Sequence, residues 1–589
     1  LVIAATVMRH GLRQTPDAQH LELGLVAIFA MLFLTVSTWS RYGWSLSQKQ
    51  FLQLHRVPVT LGLLWLVGIV SLLIFSPMLP ASWQGMPMTG WTAFVLMSEL
   101  LVVMYGLAGI ISIMRKATAG GTDPAILLVI SFVVLIAIGT LLLMLPRARA
   151  ETGMEADQSG APFLTALFTS TSAGCVTGLT VDPTGEYWSR TGQWIILCLF
   201  QIGGLGIMTF GAFFAVASGR GMMIRESATL RDLLESERLG DVSRLVRTIL
   251  IFTLTAELVG AVLMSGLWSQ MPKGDQFFYS LFHSVSAFCN AGFSLTENSF
   301  VGMGTRWEIW GVAAGLIIVG GLGFAVLYNM MLAAKVQFST IRKQPLFNLP
   351  RHRIRLSLST KLVLTTTAGL LLFGTLGYYL LESTAPLSNE TTTSERLSAA
   401  WFQSVTFRTA GFNTVDHGEL QPATKLFAIG LMFIGASPGS TGGGVKTVCF
   451  ALVFLSLLSV LRGRQHVEIM GRRIPSDVIN RSLTIITLGM IAVMTATMLL
   501  VLFEHRPGHF IDHMFEATSA FATVGVSSSV EVEPGRFLST TQSLSTPSQL
   551  VIVVTMFLGR VGPLTLLIAL AGRMQEARYE YPVERVTLG

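Results

Sequence analysis

The sequence predicts an all-α polytopic membrane protein: four parallel repeats of helix, re-entrant loop and helix, preceded by three extra spanning helices. Three observations carry this. Of 589 residues, 51% are hydrophobic and only 12% charged, with a mean hydropathy of +0.61. Soluble domains carry about 25% charge, so most of this chain must face lipid or protein. Eleven apolar runs approach or exceed the roughly 20 residues that cross a bilayer as a helix. A glycine-bearing turn then recurs four times at near-constant spacing.

Composition also removes several function classes. The net charge of +7, from 40 basic and 33 acidic residues, bears on membrane orientation rather than on nucleic-acid binding. Cys175, Cys198, Cys289 and Cys449 sit in apolar contexts without CxxC pairing, which argues against a disulfide scaffold or a zinc site. Residues 1–20 lack the basic–apolar–cleavage order of a signal peptide and are not read as one.

The first three runs are Leu21–Trp39, Val57–Phe75 and Trp91–Met114. Arg115, Lys116 and a Gly-containing stretch separate them from Pro124–Leu145, Gln193–Ala217, Leu245–Trp268, Trp307–Ala334, Lys361–Leu381, Leu426–Leu461, Leu483–Phe503 and Leu550–Leu570. The run Leu426–Leu461 is long enough for two crossings, but Gly435-Ala-Ser-Pro-Gly-Ser-Thr-Gly-Gly-Gly444 interrupts it, so it reads as one broken helix. Basic residues concentrate in loops 219–244, 335–361 and 462–481, including Lys335, Arg342, Lys343, Arg351, Arg353 and Arg355, whereas 76–90 and 382–396 have few or none. The positive-inside bias places the basic loops, the Arg41–Arg56 loop and Arg115–Lys116 in the cytoplasm, with the N-terminus outside.

Between successive long helices lies a short helical segment ending in a turn: Ser172–Gly178, Ser286–Gly292, Val405–Gly411 and Ser519–Gly525. The closing glycines are 114, 119 and 114 residues apart, and an aromatic stands ten positions before each: Phe168, Phe282, Trp401 and Phe515. A segment too short to span must dip in and return. Two full crossings per repeat keep all four repeats in one orientation, so their common axis runs along the membrane normal and they enclose one pore. The expected units are an N-terminal extension at 1–116, repeats at 124–219, 244–343, 357–464 and 478–572, and a cytoplasmic tail at 573–589.

The turns carry the candidate chemistry. Glycine permits backbone conformations that aim successive carbonyls at a common axis, and carbonyl rings replacing an ion's hydration shell are how potassium filters select. The candidate lining is Val176, Thr177 and Gly178; Asn290, Ala291 and Gly292; Thr409, Ala410 and Gly411; Thr523, Val524 and Gly525. One glycine per turn implies a shorter filter than one built on TVGYG loops. The C-terminal ends of the short helices add negative potential at the same point. Asp182, Glu297, Asp416 and Glu531 follow the glycines by four to six residues, either as a cation-concentrating ring or as solvated loop acids.

The second helices share another register at Gly203–Gly206, Gly320–Gly323, Gly435–Pro438 and Gly559–Gly562. Close helix packing accounts for the first two. The third cannot stay helical, and irregular backbone at membrane depth belongs inside protein or a water-filled cavity. Gly435, Ser437, Pro438, Gly439, Ser440, Thr441, Gly442, Gly443 and Gly444 therefore form a candidate gate, joined by Lys446 and by Arg560, a cation midway along Leu550–Leu570. Arg560 reads either as a gate partner or as a pin between helix ends. Glu99 and Glu257, also within apolar runs, are explained equally well by helix–helix hydrogen bonding, and His283 and Glu516 receive no role. Gly444-Val-Lys446-Thr447 breaks the phosphate-loop order, and no HExxH-like cluster supports an enzyme.

These residues resemble the Trk/Ktr/HKT superfamily of potassium transporters over about residues 124–589. The most specific pieces are Cys175–Leu179, Gln201–Gly211, Thr406–Asn413, Gly439–Lys446 and Gly559–Thr565, and Tyr581–Arg585 looks most like a Ktr-type membrane subunit. The resemblance implies filter glycines at Gly178, Gly292, Gly411 and Gly525, an intramembrane gating loop in the third repeat, and Arg560 facing that loop. Glycine rather than serine in the first turn goes with potassium over sodium preference. It also implies a homodimer in the plasma (cell inner) membrane with one pore per protomer, gated by separate cytosolic nucleotide-binding (RCK-type) subunits. Potassium is then a substrate held at the filter, with sodium a possible activator and no cofactor or nucleic acid involved. Residues 1–116 extend beyond that family core, and the 19 residues after Leu570 are too few for a Rossmann-type regulatory domain. The expected function is gated potassium uptake; a sodium-coupled or sodium-permeable symporter on the same scaffold is the alternative.

Overall fold

The computed structural model describes residues 17–44, 47–48, 56–75, eight positions between 94 and 105, 124–150, 160–217, 242–341, 356–383, 392–504, 509–533, 536–563, 565 and 567. Most of the run Trp91–Met114, Glu99, Arg115 and Lys116, most of the basic loops at 219–244 and 335–361, the loop 76–90, much of 382–396 and the tail 573–589 lie outside the described residues. The described chain is predominantly helical, with two short antiparallel hairpins.

The N-terminal part contributes α1 (Asp17–Gly43) and α2 (Arg56–Phe75), which pack on each other around Met31, Leu61 and Trp65. The Trp65 indole N–H satisfies itself by donating to Ser98 Oγ at 3.0 Å. Four helix–turn–helix units follow where the sequence leads one to expect repeats; the first comprises α3 (Pro124–Leu143), α4 (Phe163–Gly174) and α5 (Arg190–Ala217). The second comprises α6 (Val242–Met264), α7 (Lys273–Cys289), a π-helical turn at Glu308–Ala313, α8 (Ala314–Leu322) and α9 (Phe324–Ile341). The third comprises α10 (Leu358–Glu382), α11 (Thr393–Thr406), α12 (Pro422–Phe433) and α13 (Thr447–Leu461). The fourth comprises α14 (Ser476–Glu504), α15 (Phe510–Ala522) and α16 (Thr546–Val561).

Among the described residues four helices are long and apolar enough to cross a membrane, five if one bent pair counts as a span. The four belong to α3, α6, α10 and α14, the leading helix of each repeat, and they are mostly unburied apolar surface, as lipid-facing helices are. Each leading helix packs against the short helix that follows it. In three repeats the crossing is fixed by a buried serine on the short helix donating to a leading-helix carbonyl. The bonds are Ser170 Oγ to Ile136 O at 2.8 Å, Ser284 Oγ to Glu257 O at 2.6 Å and Ser404 Oγ to Leu371 O at 2.8 Å. A glycine one turn further on (Gly139, Gly260, Gly374) makes room for that serine.

Contacts between repeats run in a circle. α5 packs against α7, α8 against α11, α12 against α15, and α16 returns to α4. The hydrophobic clusters follow these seams: Val176 and Phe200 pack with Phe282 and Phe293, and Phe168 and Leu179 pack with Ile552 and Met556. The small hairpins, β1 (Glu468–Ile469) with β2 (Arg472–Arg473) and β3 (Ser529–Glu533) with β4 (Arg536–Ser539), lie in loops. The first projects exposed Arg472 and Arg473 in the basic loop 462–481.

The structure changes two helix assignments. The run Trp307–Ala334, expected as one continuous crossing, bends by 101° at Gly323. The run Leu550–Leu570 likewise interrupts at Gly562, whose φ of +88° ends α16. Only α5 passes its glycine register unbroken.

Candidate functional site

The short helices α4, α7, α11 and α15 are 12, 17, 14 and 13 residues long, about 18–26 Å at 1.5 Å per residue. All four deliver their C-terminal turns to the middle of the circle. Each turn has the same backbone signature: a left-handed residue two positions before a left-handed glycine. The pairs are Val176 (φ +59°) with Gly178 (+96°), Asn290 (+58°) with Gly292 (+71°), Thr409 (+72°) with Gly411 (+85°), and Thr523 (+50°) with Gly525 (+91°). The glycine was legible in the sequence; its left-handed companion was not. Three companions are β-branched, for which this region is strained by about 1–3 kcal/mol each. Short-helix carbonyls hold the turns: Ser172 O accepts from Thr177 N at 2.7 Å, Ser286 O from Ala291 N at 2.8 Å and Ser519 O from Val524 N at 2.8 Å.

A hydroxyl clamps each turn from behind. Ser172 Oγ accepts from Gly178 N and Ser519 Oγ from Gly525 N, both at 3.1 Å, while Ser286 Oγ donates to Phe293 O at 2.9 Å and Thr406 Oγ1 to Phe412 O at 2.7 Å. The third clamp is Thr406, not Val405, because the third repeat has one residue fewer between clamp and glycine. The same offset corrects the aromatic register. Phe402 is fully buried with Phe168, Phe282 and Phe515, whereas Trp401 is only partly buried and its indole N–H reaches Trp310 O at 3.0 Å.

With the register corrected, the next position holds Thr169, His283, Gln403 and Glu516. The last three tie the short helix to the strand beyond the glycine. His283 Nε2 accepts from Leu295 N at 3.2 Å and pairs with Ser294 Oγ at 3.1 Å. Gln403 Nε2 donates to Thr414 Oγ1 at 3.1 Å, and its Oε1 pairs with His417 Nε2 at 2.9 Å. Glu516 accepts from Ser527 Oγ at 2.9 Å and from the Thr541 hydroxyl. His283 and Glu516, left without a role by the sequence, thus have a common one that the shifted third repeat conceals.

The four glycines meet one another in order. A Cβ built on Gly178 would lie 2.5 Å from Ala291 O and 2.9 Å from Gly292 Cα. One on Gly292 would lie 2.8 Å from Gly411 Cα, one on Gly411 2.5 Å from Val524 O and 3.4 Å from Gly525 Cα, and one on Gly525 3.0 Å from Gly178 Cα after colliding with Thr177 O. The ring closes with no room for a side chain at any of the four positions. Asn290 adds a lateral tie, within hydrogen-bond distance (3.2 Å) of the Thr409 hydroxyl.

The segment between α12 and α13 is folded against this ring. Its ends are pinned by a parallel bridge between Ile434 and Val445 and by Thr447 N donating to Ala436 O at 3.3 Å. Left-handed Gly439 (φ +65°) and Gly444 (+67°) turn the chain. Ser437 Oγ pairs with Thr447 Oγ1 at 3.0 Å, Ser437 O accepts from Ser440 N at 3.2 Å, and Lys446 Nζ reaches Gly442 O at 2.7 Å and Gly443 O at 3.4 Å. A Cβ on Gly435 would strike Gly443 O, so the loop's two strands lie backbone to backbone. Toward the ring, Gly443 N donates to Thr523 Oγ1 at 3.0 Å, Thr441 Oγ1 reaches Phe288 O at 3.4 Å, and Gly442 abuts the Thr409 hydroxyl.

The bend at Gly323 now has a cause. Gly320 O accepts from Thr441 N at 3.3 Å, Gly321 O from Ser437 N at 3.1 Å, and Gly439 O from Phe324 N at 3.1 Å. The segment and the opened helix satisfy each other's backbone groups, as buried irregular backbone requires. Close packing, expected for Gly203 and Gly320, holds as well: a Cβ on Gly203, Gly320 or Gly559 would strike Gly174 O, Phe288 O or Phe521 O, each four residues before its ring glycine. Arg560 is 4% exposed, and its guanidinium bridges two elements, Nη2 donating to Gly203 O at 2.6 Å and Nη1 to Thr441 O. It therefore fastens the loop to α5 with carbonyls as its partners.

The downstream acids do not share one setting. Asp416 is engaged by Gly418 N at 2.8 Å and Ser529 Oγ at 2.6 Å, Glu297 is exposed, and Glu531 lies in β3. Asp182 is partly buried; desolvation pushes its carboxyl above the ordinary range, with nearby Arg149 partly offsetting this. Glu257 accepts from Gln201 Nε2 at 2.9 and 3.1 Å, so it bonds α6 to α5.

Comparison with known proteins bears on what such a ring of backbone turns and buried loop belongs to. The profile of a family described as "TrkH: Cation transport protein" matches residues 112–581. The chain belongs to the TrkH family. Residues 1–111, with α1 and α2, lie outside the match. Among similar proteins are "Ktr system potassium uptake protein B" of Vibrio alginolyticus, 37% identical over 81% of this chain and 97% of that protein, and its Bacillus subtilis namesake, 34% identical over 79% and 97%. "Potassium/sodium uptake protein NtpJ" of Enterococcus hirae is 32% identical over 81% of this chain and all of its own length. The crystal structure of the potassium transporter TrkH from Vibrio parahaemolyticus has the same fold, with a TM-score of 0.56 at 17% identity, covering 87% of this chain and 97% of that one.

Proposed function

We propose that this TrkH-family protein takes potassium up across the plasma membrane through a channel-like pore, with the four turns as its selectivity filter. The four helix–turn–helix units are then parallel repeats around one axis along the membrane normal. The observation that carries the reading is the closed glycine ring: four equivalent left-handed pairs bring their glycines edge to edge around one circle, where backbone carbonyls turned to its centre would substitute for a hydration shell. The filter lining is 176–178, 290–292, 409–411 and 523–525. The 435–446 loop is its gate, held shut beneath the ring by Arg560, Lys446 and the Thr523 hydroxyl.

Relatives named as part of a "Ktr system" support assembly with further subunits. In this reading the pore works as a homodimer under separate cytosolic nucleotide-binding subunits, with potassium as substrate and no resident cofactor. A second reading, sodium-coupled or sodium-permeable transport, draws support from the relative named for potassium and sodium. Rubidium flux into proteoliposomes with and without sodium separates the two. Flux independent of sodium supports the channel-like reading, an absolute sodium requirement supports symport, and no alkali-cation flux in any regulated state refutes both.

A further inference from the structure

Arg408 follows the third short helix and directly precedes left-handed Thr409, yet neither the ring nor the loop uses its charge. The three equivalent positions before the other companions are Cys175, Cys289 and Ala522, so a cation occurs at this place in one turn of four. The residue is 8% exposed, and the Nε–H has no hydrogen-bond partner among the described residues. Burying an unpaired guanidinium donor is costly, so a partner must be sought nearby.

The neighbourhood supplies one. A void of about 10 Å³ is lined by Arg408, Thr367, Ile317, Gly321, Leu371 and Ala436, among others. Thr367 is 6% exposed, and its Oγ1 is likewise without a partner. Two residues with an orphaned polar atom each thus line one compartment otherwise bounded by apolar side chains and small residues. Its volume matches a single water, which needs about 10–15 Å³ of probe-occupied space and two to four polar partners.

We infer that an ordered water in this void joins Arg408 Nε–H to Thr367 Oγ1, making both residues positioning residues for the third filter turn. The water accepts from the guanidinium and donates to the threonine. The link runs from leading helix α10 through Thr367 to the residue before Thr409, and the void's wall at Ala436 is the loop's second residue. It gives the third turn, which lacks one residue relative to the others, a lateral anchor where its neighbours carry thiols or a methyl group. The inference rests on reading the turns as the filter.

The test compares Thr367→Val, which keeps shape and loses the hydroxyl, with Thr367→Ser, which keeps the hydroxyl, in rubidium-over-sodium flux ratios from proteoliposomes. Loss of one such bridge should lower the ratio about 3- to 10-fold in the valine variant, while serine retains it. A general packing defect would instead change both variants or lower flux without changing the ratio, and would overturn the inference, as would a valine variant with the unmodified ratio. A high-resolution map of the unmodified protein tests the water without any variant: density bridging Nε and Oγ1 supports it, and a dry void refutes it. If the unmodified protein shows no cation preference, the filter reading fails; if it does and Thr367→Val leaves that preference intact, only this inference fails.

Discussion

Gly443 and Thr523 join the loop to the ring directly: the Gly443 amide donates a 3.0 Å hydrogen bond to the hydroxyl of Thr523, whose own backbone is left-handed. If the loop is the gate and the ring the filter, as proposed, the two share a bond. Thr523→Val keeps the side-chain shape and removes the acceptor, leaving a buried N–H unpaired at a cost of about 1–3 kcal/mol. Basal rubidium flux should rise several-fold, and an unchanged basal rate would show that this bond does not hold the loop.

Arg560→Gln removes the guanidinium that fastens Thr441 O to Gly203 O. Hydrogen bonds to charged groups are worth about 1.5–3 kcal/mol each, so the closed loop should lose its preference and basal flux should increase about tenfold or more. Deleting part of 437–444 should act in the same direction. Flux that stays flat in both, with normal protein yield, would assign Arg560 a purely structural role.

Gly178→Ser places a Cβ against Ala291 O and Gly292 Cα at a φ of +96°. The first turn must shift, and with it, if the turns are the filter, the carbonyl spacing on which cation discrimination would depend. The potassium-over-sodium permeability ratio should fall about tenfold, measured by reversal potential or competing flux. Retained selectivity would remove Gly178 from the filter.

Gln403→Leu breaks the bonds to Thr414 and His417, leaving both partners buried without it. The expected loss is about 2 kcal/mol or more, read as a lower thermal midpoint in detergent. Gln403→Glu, which can still accept a hydrogen bond, should lose less.

Asp182 predicts a pH effect. Its pKa is raised by burial, with nearby Arg149 partly offsetting this, so on acidification its carboxylate gains a proton before an ordinary aspartate would. If it concentrates cations at the outer mouth, the KM for rubidium should rise as external pH falls through that raised value. Asp182→Asn should show the higher KM at neutral pH and a flatter profile.

Most of this architecture was legible because it is written in periodic features. Apolar runs and recurring glycines follow from membrane thickness and from steric exclusion at Gly178, Gly292, Gly411 and Gly525. Single-residue offsets and contacts between distant segments were hidden. The missing residue in the third repeat made Trp401 look like the anchor in place of Phe402 and masked Gln403 as the counterpart of His283 and Glu516. The bend at Gly323 was invisible because its cause lies more than a hundred residues away, in the amides of Ser437 and Thr441. The left-handed setting of Val176, Thr409 and Thr523 contradicts their local preference, so only the closed ring could reveal it.

The central claim is that the four turns coordinate a potassium ion on a common axis. Cryo-electron microscopy maps of the protein in potassium and in lithium test it most directly. The account predicts axial density level with Gly178, Gly292, Gly411 and Gly525 in potassium, weakened or displaced in lithium. An empty axis in both salts, with cation density elsewhere in the protein, would contradict it.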